Sequence, residues 1–65
     1  QGFVITGQKI ERFASQTDFD NFAGVDRIRD IMRKMGIMHE LERQSVQAND
    51  QIFFGKNSDY GPIEY

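Results

Sequence analysis

The chain has no cysteine and no tryptophan, and only one proline and one histidine. Without cysteine there is no disulfide framework, and every structural zinc pattern built on Cys and His fails. A cysteine-free small domain fits a cytoplasmic address. Long apolar runs are missing too. The longest are three residues, as in Phe3-Val4-Ile5 and Ile52-Phe53-Phe54, whereas a membrane span needs about 20. No secretory-signal pattern opens the sequence. Neither charge sign dominates: Lys+Arg 8 against Asp+Glu 10 gives a net charge of −2, which argues against a strong, general nucleic-acid binder. With 65 residues, folding buries only about 60% of the unfolded surface, so one small core fits and two domains do not. The 38% hydrophobic content and six Phe suffice for that core.

Phe3-Val4-Ile5-Thr6 is β-branched and aromatic and stops at Gly7, which predicts a strand and a turn. Lys9 to Ala14 reads as a second strand. Ile10 and Phe13 are three apart, so a bulge is needed to reconcile them with strict alternation. Thr17, Asp18, Asp20 and Asn21 are helix-capping residues. A helix is expected from about Asn21 to Met35, with Val25, Ile28, Ile31, Met32 and Met35 forming a stripe about 120° wide. Gly24 falls in that sector, which points to close approach of a neighbour. Gly36 is placed to stop the helix in a left-handed conformation.

Met38 to Gln44 reads as a shorter helix anchored by Leu41. Asn49-Asp50 marks a turn, Ile52 to Phe54 a strand, Lys56 to Pro62 a loop, and Ile63 to Tyr65 a last strand. The expectation is an α+β fold of order β-β-α-α-β-β, a small sheet with two helices on one face. The expected core is Phe3, Ile5, Ile10, Val25, Ile28, Ile31, Met32, Met35, Leu41, Ile52 and Ile63.

Chemistry-bearing patterns are few. Asp18 and Asp20 lack the spacing of a calcium loop and suit a positive helix end. His39, beside Glu40, reads as a solvated side chain, and nothing in the sequence activates Ser45 or Ser58. Gly55-Lys56-Asn57-Ser58 fails the phosphate-loop pattern, having Asp50 and Asn57 where Gly and Ser or Thr are required. No catalytic, cofactor-binding or metal residue is assigned. On the main helix, Arg27, Arg29, Arg33 and Lys34 alternate with Asp26 and Asp30, the usual pattern of a salt-bridged surface. An RNA-contact surface through Lys9, Arg12, Arg29 and Arg33 is the alternative.

Several stretches, taken in order, resemble the C-terminal domain of the Obg family of bacterial GTPases. They are Phe3-Val4-Ile5-Thr6-Gly7 with Ile10-Glu11-Arg12, then Thr17-Asp18-Phe19, then Val25, Arg27-Ile28 and Met32-Arg33-Lys34-Met35-Gly36-Ile37. Leu41-Glu42-Arg43, Asp50-Gln51-Ile52 and Ile63-Glu64-Tyr65 complete the set. Ser45 and Asn49 stand where the family usually has Gly. The resemblance implies a cytoplasmic parent with a glycine-rich N-terminal domain and a central domain holding GTP and Mg²⁺. It also implies association with the large ribosomal subunit, in ribosome assembly and stress signalling. Residues 3–65 would be the single C-terminal domain, and residues 1–2 a linker remnant. The expected role is accessory and regulatory, with the parent GTPase domain and the large ribosomal subunit as partners, no membrane, and a monomeric fragment. An autonomous RNA-binding module is the alternative, and a structural cap acting through exposed sheet edges a third reading.

Overall fold

In the computed structural model, which describes residues 2–65, the apolar β-branched start of the chain forms strand β1, Gly2–Ile5. The linker expectation for Gln1 lies outside the described residues. Gly2, set aside with it, is the first residue of the strand and pairs with Gln51.

Lys9 to Ala14 is not a strand. It lies in helix α1, Gln8–Ser15, which buries Ile10 and Ala14. The spacing of Ile10, Phe13 and Ala14 is the i, i+3, i+4 repeat of a helix face, so no bulge is needed. Glu11 secures the start by reaching back: its Oε2 accepts the Gly7 N–H at 2.9 Å.

Helix α2, Phe22–Lys34, is capped by Asn21, whose Oδ1 accepts from the N–H groups of Ala23 and Gly24 at 2.8 and 3.4 Å. Ile28 and Met32 on this helix are fully buried. Gly36 then adopts φ 80, ψ 8 with open space around it, so the dihedral alone favours glycine there.

Helix α3, Ile37–Arg43, buries Leu41 and ends in an arrangement the sequence only hinted at. Ser45 has φ 64, its N–H donates to Glu42 O, and the Val46 N–H donates to Leu41 O, each at 3.1 Å. These are the two bonds of a Schellman stop, with serine in the position glycine usually takes. Val46 completes it by packing on the core. Asn49, at φ 72, turns the chain into β2, Gln51–Phe54. The Asp50 carboxylate holds that turn by accepting the Gln47 N–H at 2.9 Å.

Strand β3, Tyr60–Glu64, begins earlier than expected and includes Gly61 and Pro62. The sheet order is β1-β2-β3, with β1 parallel and β3 antiparallel to β2. A parallel pair requires a crossover, supplied here by all three helices. The element order is therefore β-α-α-α-β-β. The α+β class holds, with three helices and three strands among the described residues in place of the expected two helices and four strands.

Ile52 and Phe54 on the central strand are fully buried against Ile10, Ala14, Ile28, Met32, Leu41 and Ile63. Phe19 stacks on Phe54, with centroids 6.0 Å apart. Phe3, Ile5, Val25 and Ile31 are partly buried around this centre. Met35 is not core: at the C-cap of α2 it leaves the buried stripe and is 40% exposed.

Candidate interaction surface

The four basic residues stand in different local settings. Lys9 and Arg12 project from α1 and line a depression with Gln8 and Phe13. Arg29 lines a different one, with Phe19, Phe22 and Asp26. Arg29 is also occupied structurally: its Nη2 donates to the Glu64 carbonyl at the end of β3, and its Nε is buried without a partner. Arg33 pairs with Asp30 at 3.1 Å, and Lys34 pairs with the other oxygen of the same carboxylate at 3.1 Å. These exposed pairs give the salt-bridged helix surface the sequence suggests, and each contributes little to stability.

The remaining polar residues stay apart. Asp18 Oδ1 accepts the Asp20 N–H at 3.0 Å, closing the loop before α2. His39 is exposed on the first turn of α3. Ser45 and Ser58 both have left-handed backbone. Among the described residues no three or more His, Asp or Glu side chains gather where a metal ion could be held. No described helix is long and apolar enough to cross a membrane.

Sequence reasoning missed the groove between β1 and α3. It has a volume of about 620 Å³ and runs along Phe3, Val4 and Ile5 on one side and Ile37, Glu40 and Leu41 on the other. Its head lies at Gly7, Gln8 and Lys9, where α1 begins. The signal was present in the uncharged Phe3-Val4-Ile5 run. Finding it required knowing that β1 lies at the outside of the sheet.

Fold and surface together define a small α+β domain. The family model described as "Domain of unknown function (DUF1967)" matches residues 1–58. The chain is 36% identical over 50 residues to a GTPase Obg of Onion yellows phytoplasma, covering 77% of the chain and 12% of that relative. It is 35% identical over 54 residues to the GTPase Obg of Bifidobacterium animalis subsp. lactis, covering 83% of the chain and 10% of the relative. It is 37% identical over 54 residues to the GTPase Obg of Corynebacterium melassecola, covering 83% and 24%. The chain thus spans between about a tenth and a quarter of these relatives. No solved structure matches it. The chain belongs to the family of C-terminal domains of Obg GTPases.

Proposed function

We propose that this domain is an accessory, regulatory interaction domain of an Obg GTPase, biasing nucleotide turnover or ribosome contact without taking part in the chemistry. The carrying observation is the family match over residues 1–58, in a chain that spans only a small part of relatives named as GTPases. In this reading GTP and Mg²⁺ are held by the parent's central domain. The parent works in the cytoplasm, in large-subunit assembly and stress signalling. The domain's immediate partners are the parent GTPase domain and the large ribosomal subunit, and the domain by itself is monomeric.

The RNA-binding alternative is weaker, because Arg29 is tied to Glu64 and Arg33 to Asp30. The test compares the full-length GTPase with a version lacking residues 3–65, following GTP turnover and co-sedimentation with large ribosomal subunits. A change in either supports the regulatory role, and identical behaviour in both rejects it. Salt-titrated binding of the domain to ribosomal RNA separates the alternative, which requires a steep loss of affinity with salt.

A further inference from the structure

Among the described residues the basic side chains fall into two groups. Arg33 and Lys34 share the Asp30 carboxylate, Arg43 pairs with Glu40, and Arg29 donates to the Glu64 carbonyl. Lys9, Arg12, Arg27 and Lys56 are exposed and make no ion pair. All of this second group except Lys56 lie along the seam between α1 and α2. Lys9, Arg12 and Phe13 are i, i+3 and i+4 on one face of α1, and they line a hollow of about 380 Å³. Half-buried Phe13 also lines a second hollow of about 400 Å³, where Arg27 and half-buried Ile31, one turn apart on α2, form the facing wall.

The carboxylates leave this seam positive. Glu11 is two residues from both Lys9 and Phe13, about 200° around the helix, and turns back to accept the Gly7 N–H. Asp30 is engaged by Arg33 and Lys34, one on each oxygen. Asp18 is the one acidic residue lining either hollow among the described residues, and its Oδ1 accepts the Asp20 N–H. Three unpaired cations thus outweigh one carboxylate, on a chain whose net charge is −2. The positive field is a local property of the seam.

We propose that the α1–α2 seam binds a short acidic segment of a partner polypeptide. One large apolar side chain of the segment rests on Phe13 and Ile31. Asp or Glu on both sides of it meet Lys9 and Arg12 at one end and Arg27 at the other. Complementary charge selects the segment, and the apolar floor adds what exposed ion pairs alone supply weakly. An RNA strand repeats its charge at every nucleotide and needs a longer basic track, whereas these cations stop at the two ends of one apolar floor. A folded second copy has no such segment to offer. Its apolar residues with an acidic neighbour on each side are Phe19 and Leu41, and both are packed in the core. The inference stands on the charge and shape of the seam and is independent of the family role.

The test titrates the isotope-labelled 65-residue chain with an acetylated, amidated peptide Gly-Asp-Asp-Phe-Asp-Asp-Gly at low salt, followed by NMR. Saturable shifts at the Arg12, Phe13 and Arg27 amides are expected. Arg12→Glu and Arg27→Glu, checked for native spectra, should each weaken binding about three- to fivefold. Lys56→Glu alters the net charge equally but lies between β2 and β3, off the seam, and should change binding by less than about 1.5-fold. Serine in place of the peptide's phenylalanine should weaken binding about tenfold. No saturable shift, shifts confined to another face, equal binding of the serine peptide, or an equal loss from Lys56→Glu would overturn the proposal. So would tighter binding of a single-stranded RNA hexanucleotide at the same amides, which assigns the seam to RNA. Self-association that shifts these amides without peptide would overturn it too, assigning the seam to a second copy.

Discussion

Gly24 sits against the Asp18 carbonyl so closely that a Cβ built on it would stand 2.7 Å from that oxygen. The same oxygen accepts the Asn21 N–H at 3.1 Å, so it cannot easily retreat. Elsewhere in an exposed helix, Gly→Ala gains about 1 kcal/mol. Here Gly24→Ala should lose about 1–3 kcal/mol through overpacking, read from urea unfolding. A stabilised variant would show that the loop does not press on the helix.

Ser45 occupies left-handed backbone at φ 64, where a non-glycine residue is disfavoured by about 1–2 kcal/mol. Ser45→Gly should stabilise the domain by about 1 kcal/mol once the greater freedom of unfolded glycine is discounted. Thermal unfolding should report it as a higher Tm. No change, or a loss, would mean that the serine hydroxyl compensates for the strain.

Met32 and Met35 lie on the same stripe in the sequence and in different surroundings in the fold. Met32 is 0% exposed and Met35 40%. Met32→Asp buries an unpaired charge and should abolish cooperative folding in so small a domain. Met35→Asp should leave native-like dispersion in the NMR spectrum. Equal damage from both would contradict the placement of the helix end.

Arg29 and Arg33, one turn apart, should also separate. Arg29→Ala frees the Glu64 carbonyl and should cost about 1 kcal/mol, with faster amide exchange at the end of β3. Arg33→Ala removes only an exposed pair and should stay within about 0.5 kcal/mol of wild type. Reading both arginines as free contact residues would instead require two variants of unaltered stability.

What the sequence made legible was local. The stripe of α2, its Asn21 start, the Gly36 stop and the Asn49 turn each rest on residues close together in the chain. Helix α1 was legible in principle, since Ile10, Phe13 and Ala14 carry the helical spacing and Lys, Glu, Arg and Ala favour helix. The β-rich stretch just before it pulled the reading toward a hairpin. Tyr60-Gly61-Pro62 looked like loop because glycine and proline punctuate it, yet an outer strand tolerates proline, which has no N–H, at a position where the ladder needs no donor. The partner of β1 was not legible at all. Nothing near Phe3 indicates that its neighbour is Ile52, and the groove follows from that pairing alone.

That pairing also governs the order in which the domain can assemble. Gly2 meets Gln51, a separation of 51 − 2 = 49 residues, and every β1–β2 hydrogen bond closes a loop of about this size. Short-range contacts form early, whereas distant ones wait for the entropy of closure to be overcome. During synthesis the first strand of this domain to leave the ribosome is therefore among the last to find its place. Until Phe54 has emerged, Phe3, Val4 and Ile5 remain an unpaired, aggregation-prone apolar segment beside helices that have no sheet to close upon.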